Sequence, residues 1–126
     1  MKNVIISILL IIVALVLTVL LFIPGFIYQL YAHFKYNEPT SYTYKLLFGI
    51  AQVIDEFGNV AYQGMWNEVL IIKESKHLFG NAGERMSSVI GKNVLTNTLT
   101  KTGVWLNNQL NKIQPNHSIL SIQKEI

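Results

Sequence analysis

The chain has 126 residues, of which 51% are hydrophobic, a net charge of +3 with no block of like charges, and no cysteine. Without cysteine there are no structural disulfides, no thiolate catalysis and no cysteine–zinc site. The dispersed charge argues against nucleic acid as a partner, which calls for a concentrated basic face.

Val4–Ile23, VIISILLIIVALVLTVLLFI, is twenty residues without a charge, a glycine or a proline. At about 1.5 Å per residue a helix of that length spans about 30 Å, the hydrocarbon thickness of a bilayer. Ile and Val would favour a strand in water, but in lipid a lone segment satisfies its backbone only as a helix. The Thr18 hydroxyl can bond back to a carbonyl one turn earlier. Two readings compete: a buried core helix, which is rarely so long and apolar all round, and a cleaved signal peptide, for which Met1-Lys2 supplies a positive start. The run exceeds the roughly 7–15 residues of such an apolar region, however, and Pro24-Gly25-Phe26-Ile27-Tyr28 offers no small-x-small cleavage site. Residues 1–23 are therefore expected to form a retained transmembrane anchor. What remains is enough for one small domain.

Pro24-Gly25 marks the expected end of the membrane helix. Residues 24–43 read as an aromatic interfacial collar and a loop. Phe26, Tyr28, Tyr31, Phe34 and Tyr36 suit the headgroup level, with Lys35 able to reach lipid phosphates. The plain alternative is a small aromatic core. Asn37-Glu38-Pro39-Thr40-Ser41 has loop composition.

Residues 44–126 are expected to form the domain. Leu47, Ile50, Ala51, Ile54 and Phe57 recur on one helical face, which predicts a helix over Tyr44–Phe57 with Gly58-Asn59 as its C-cap. Val60–Ile72 is undecided between strand and helix, because its apolar run is too short for period to resolve. Asn81 followed three residues later by Glu84 resembles a capping box, which predicts a helix from there to about Ile90, stopped by Gly91. Asn93–Lys101 reads as loop or a short exposed strand. Thr102–Ile113 reads as a helix ended by Pro115, with a further turn possible over His117–Ser121. The predicted fold class is mainly α: a single N-terminal transmembrane helix followed by a small helical domain.

Asp55, Glu84 and His117 are the only trio with the chemistry of an acid–base or metal site, and each lies at an element end, where catalytic groups tend to sit. Two carboxylates and an imidazole can hold a divalent metal or activate water. Their spacing carries no local signature. The favoured reading is structural: Asp55 a helix-end charge, Glu84 a cap with Asn81, His117 a surface imidazole. Ser87-Ser88 has no G-x-S-x-G elbow around it. Gly80-Asn81-Ala82-Gly83 lacks the Lys-Ser/Thr ending of a phosphate-binding loop, so no cofactor is expected.

Asp55, Gly58, Asn59, Gly80, Gly83, Glu84, Ser87, Ser88, Gly91, Asn116 and His117 together resemble the pattern of short membrane-anchored proteins of tailed phages and prophages. Those proteins open with a hydrophobic segment. They then carry an Asp, a Gly-Asn or similar pair, a glycine-rich turn, an acidic residue with Ser-Ser, and a terminal Asp/Asn-His. The chain departs from the pattern by extra residues over about Met65–His77, and by Gly83-Glu84-Arg85 where an Asp-Glu-Thr type of run is usual. The resemblance covers about half the chain and implies a viral or prophage origin and a host-membrane setting, without a reaction.

The expected function is that of a non-catalytic, single-pass protein of the bacterial inner membrane. Its partners would be membrane lipid and either an envelope protein or a second copy of the chain, during infection, lysis or exclusion of other phages. A membrane-tethered metal-dependent hydrolase and a holin-like pore former are the alternatives. The count near the membrane ends, Lys2 and a free α-amino group against Lys35 with Lys45 just beyond, leans towards a cytoplasmic domain by one charge or less.

Overall fold

A computed structural model describes residues 2–35 and 39–123. It is mainly α, with six helices and no strand among the described residues. The chain divides into two units, Met1–Leu46 and Leu47–Ile126.

The first unit is dominated by α1, Lys2–Lys35, a helix of 34 residues. From Asn3 to Lys35 it is long and apolar enough to cross a membrane. Ser7 and Thr18 turn their hydroxyls back onto the carbonyls of Asn3 and Ala14, at 2.9 and 2.8 Å. The expected stop at Pro24-Gly25 does not occur. Pro24 lies inside the helix. A proline removes the one N–H that would bond the Leu20 carbonyl, whereas ending the helix would orphan four carbonyls. The first half of the expected collar is thus a continuation of α1. Phe26, Tyr28, Tyr31 and Phe34 are exposed along it rather than gathered into an aromatic core. The Lys35 ammonium lies 5.4 Å from the centre of the Tyr31 ring, a cation–π distance. Tyr36, Asn37 and Glu38 fall outside the described residues.

The rest of the expected loop is helical, because Pro39-Thr40-Ser41 opens α2, Pro39–Ala61. Proline at a first helical position gives up an N–H that has no intrahelical partner anyway. Thr43 Oγ1 and His33 Nδ1 share a hydrogen bond of 2.8 Å, which joins the start of α2 to the end of α1.

In the second unit α2 runs past Gly58-Asn59 to Ala61, so that pair is not a C-cap. α3 follows over Gln63–Val69, then α4 over Met86–Leu95, α5 over Lys101–Ile113 and α6 over His117–Leu120. The undecided stretch is helix to Val69, and Ile71 then forms an isolated antiparallel bridge with Leu99. Leu70, Ile71, Phe79, Val89 and Ile90 are the buried core, flanked by Trp66, Met86, Val94, Leu99, Leu106 and Leu110. α5 starts at Lys101, one residue before the expected Thr102: the Thr100 hydroxyl caps it, accepting from Gly103 N at 3.1 Å while donating to Val69 O at 2.6 Å. Two glycines allow close approach. A Cβ on Gly103 would fall 2.2 Å from the Leu70 carbonyl oxygen, and one on Gly91 would fall 2.2 Å from that of Ser118. Small residues here set the distances of α5 and α6 from their neighbours.

Candidate functional site

The first turn of any helix has backbone N–H groups without intrahelical partners. α4 starts at Met86, and its N-cap residue, Arg85, makes no side-chain capping bond. The expected start at Asn81, with Glu84 as the third helical residue, is therefore not what forms. Asn81 and Glu84 instead close a turn ahead of the helix, Glu84 N donating to Asn81 O at 3.2 Å. The cap comes from α2. Asp55 accepts the Ser87 N–H on Oδ1 at 3.2 Å and the Ser87 hydroxyl on Oδ2 at 2.5 Å. A carboxylate at this end also meets the positive pole of the helix dipole.

Glu84 serves the same helix differently. Its Oε1 accepts from the Ser88 hydroxyl at 2.9 Å and pairs with Lys92 at 2.8 Å. Burial pushes its carboxyl pKa up, but the hydrogen bonds from Lys92 and Ser88 and the Lys92 charge outweigh this, leaving it below the ordinary value. Ser88 Oγ also accepts from Gln123 N at 3.0 Å, while the Gln123 side chain takes Arg85 N and Gly83 O at 2.7 and 3.1 Å.

One turn beyond Asp55 on α2, Asn59 is fully buried. Its Oδ1 accepts from Gly80 N, and its Nδ2 donates to Asn81 O and Glu84 O, at 3.0, 3.0 and 2.7 Å. That exhausts both its donors. The glycine-rich turn is bent to suit, with Gly80 at φ 120° and Gly83 at φ 82°, a region that favours glycine. Asn67 brackets Phe79 as a neighbouring strand would, accepting from its N–H at 2.8 Å and donating to its carbonyl at 3.1 Å. Asn93, also fully buried, accepts from the hydroxyls of Ser75 and Thr98 at 2.5 and 2.6 Å. It donates to the carbonyls of His77 and Val89, both at 2.8 Å. The segment between α3 and α4 is thus fastened by asparagine side chains standing in for peptide groups.

Of the three sequence candidates, Asp55 and Glu84 come to adjacent residues of α4, Ser87 and Ser88. His117 does not join them; it begins α6, and its Nδ1 shares a 3.0 Å hydrogen bond with Gln114 Oε1. Among the described residues no group of three His, Asp or Glu side chains is placed to hold a metal ion. The Ser87–Asp55 and Ser88–Glu84 pairs have the contact distances of a hydroxyl nucleophile and a base. Both serines are buried, however, and offer no face to a substrate. The glycine-rich turn likewise has its Gly80 N–H engaged by Asn59. The arrangement positions backbone.

Asn67, Ser75, Asn93 and Gln123 were not marked by the sequence as structural residues. Asn93 had the readable signal, a lone amide following Val89-Ile90 by one helical turn. Asn59, read as a cap, holds the loop instead.

Outside this network lies apolar surface. Ala51, Ile54, Phe57 and Gly58 of α2, with Tyr62, Trp66 and Met86, line a mostly apolar open groove of about 600 Å³, at which Asp55 is the one charged residue among those described. On α5, Val104, Trp105 and Ile113 are exposed, Trp105 at 60%. Compared with known protein families, with curated proteins and with solved structures, the chain matches none.

Proposed function

We propose that this is a non-catalytic protein of phage or prophage type, anchored in the bacterial inner membrane by α1. Its helical domain faces the cytoplasm and binds an envelope protein or a second copy of the chain. The observation that supports this reading is where polarity and apolarity sit. Asp55, Glu84, Ser87 and Ser88 are engaged in holding α4, while large apolar side chains, Trp105 among them, stand on the surface. Exposed aromatic residues in apolar patches are typical anchors of protein interfaces. The chemistry of a hydrolase would need a carboxylate free to act on substrate; Asp55 does line the open groove, but both of its oxygens already accept from Ser87. The exposed rings of Phe26, Tyr28, Tyr31 and Phe34 and the Lys35 ammonium suit the headgroup layer.

The test is recovery of the full chain from membranes in mild detergent, with bound proteins identified by mass. An envelope protein, or a stoichiometric second copy, should be recovered with the natural chain and lost with Trp105→Ala. A hydrolytic activity abolished by Glu84→Gln in a folded protein would replace this reading with the enzymatic one. Orientation is read separately. Alkaline phosphatase fused after Ile126 should stay silent, and a high signal would place the domain outside.

A further inference from the structure

α2 is inside out. Gln52, Asp55, Glu56 and Asn59 recur at the three- and four-residue spacing of one helical face. That polar face is the one turned inward: Asn59 is buried and the other three half-buried, with Asp55 and Asn59 bonded to the α4 start and to the loop before it. The opposite face holds Leu47, Ile50, Val53, Ile54 and Phe57, and it is exposed, Val53 at 66%, Ile54 at 64% and Phe57 at 63%. A helix that packs on its own domain normally does the reverse.

Three features identify what covers this face. Its width comes first. Successive residues turn by about 100°, so Val60, Val53, Phe57, Ile50, Ile54 and Ala51 spread over about 180°, far wider than the two-position seam of a coiled coil. Its border is second. Tyr62 packs edge-on against both Phe57 and Trp66, and the Trp66 indole N–H donates to Gly58 O at 3.2 Å. Tyrosine and tryptophan favour the boundary between hydrocarbon and water. The third is tethering. Residues 36–38 are all that separate α1 from α2, so Pro39 stays within about 14 Å of Lys35. The Thr43–His33 hydrogen bond holds the two helix ends together.

Accordingly we propose that α2 lies on the bilayer that α1 crosses, its apolar face of Leu47, Ile50, Val53, Ile54 and Phe57 seated in the lipid interfacial layer. This rests on the membrane anchorage proposed above. Amphipathic helices bind in this way by sinking one face into the boundary between headgroups and acyl chains. α2 differs in that its other face is not left to water. It carries the folded domain through Asp55 and Asn59, so the membrane-bound helix is also the domain's mounting.

The cysteine-free sequence makes the test direct, since any introduced thiol is unique. Leu10→Cys, Val53→Cys, Phe57→Cys and Thr102→Cys, each in the full chain, are labelled with a polarity-sensitive fluorophore. They are reconstituted into phosphatidylcholine–phosphatidylglycerol vesicles, with or without nitroxide on the acyl chains. The labels at positions 10, 53 and 57 should be blue-shifted and lose emission to the nitroxide, while that at 102 should do neither. Quenching at 10 without quenching at both 53 and 57 overturns the inference and leaves the anchor standing. A blue shift there without quenching would mean a protein occupant. Equal quenching at 53 and 102 overturns it as well. Absence of quenching at 10 removes the anchor and the inference together.

Discussion

α2 and α4 are helices of the same domain with opposite habits. α4 buries Val89 and Ile90 and also buries Ser87, Ser88 and Asn93. α2 buries Asn59 and leaves its large aliphatic side chains outside. In both, position is decided by which polar groups find complete partners, because a buried amide or hydroxyl left unmet costs about 1–3 kcal/mol. Apolarity fills whatever side remains. In α4 that side faces the core of Leu70, Ile71 and Phe79; in α2 it faces outward.

Breaking the polar attachments should therefore hurt far more than altering the exposed apolar side chains. The largest effect is expected for Asn93→Ala, which takes a partner from the hydroxyls of buried Ser75 and half-buried Thr98 and from two carbonyls. We expect a loss of at least about 3 kcal/mol, a large part of the roughly 5–15 kcal/mol of a typical domain. Thermal unfolding of the full chain in detergent, followed by tryptophan emission, measures it. Next comes Asp55→Ala, which removes the cap of α4 and should cost about 1–2 kcal/mol. Hydrogen exchange should then speed up at Ser87 before it does in α5. If α5 opens equally, Asp55 supports more than a helix start.

Glu84→Gln ranks third, at about 1 kcal/mol, because the amide keeps an acceptor for Ser88 and loses the Lys92 charge pairing. It also has a pH signature. The folded-state pKa of Glu84 lies below its ordinary value of 4.5, so its contribution is present above that pH and is lost as pH falls through the folded value. Acid unfolding of the natural chain should sharpen below about pH 4.5, and the Gln variant should show a shallower acid limb. An unchanged limb would mean that the Lys92 pair adds nothing. The smallest effect is expected for Val53→Ser, on the exposed face, at about 0.5 kcal/mol or less. A loss as large as that of Asp55→Ala would show that the face is covered within the protein itself.

The same contrast explains what was legible in the sequence. The apolar helix at the N-terminus and α5 were, because length determines the first, and the apolar stripe of Leu106, Leu110 and Ile113 with Pro115 beyond it marks the second. The start of α4 was not, since its cap, Asp55, lies 32 residues away from Ser87. Gly58-Asn59 has the composition of a helix end, yet the Asn59 amide is claimed by the loop at Gly80–Glu84 and the helix carries on. Pro24-Gly25 and Pro39 show that the same punctuation residue can be absorbed inside one helix and open another. Asp55 and Glu84 were read as groups at element ends, yet Asp55 holds α4 from within α2 and Glu84 from the turn before α4. Their tasks depend on contacts between distant segments, which no local spacing reveals.

The separation of Asp55 from Ser87 also sets a clock. A ribosome adds about 5–20 residues per second, so Asp55 is made roughly 2–6 seconds before Ser87 exists to receive it. For most of that interval Asn59 likewise lacks the loop that satisfies it, whereas the apolar side of α2 is complete as soon as the helix emerges. Synthesis therefore presents the surface-seeking face of α2 first and its domain-holding face second. The mounting is laid down before the domain is hung on it.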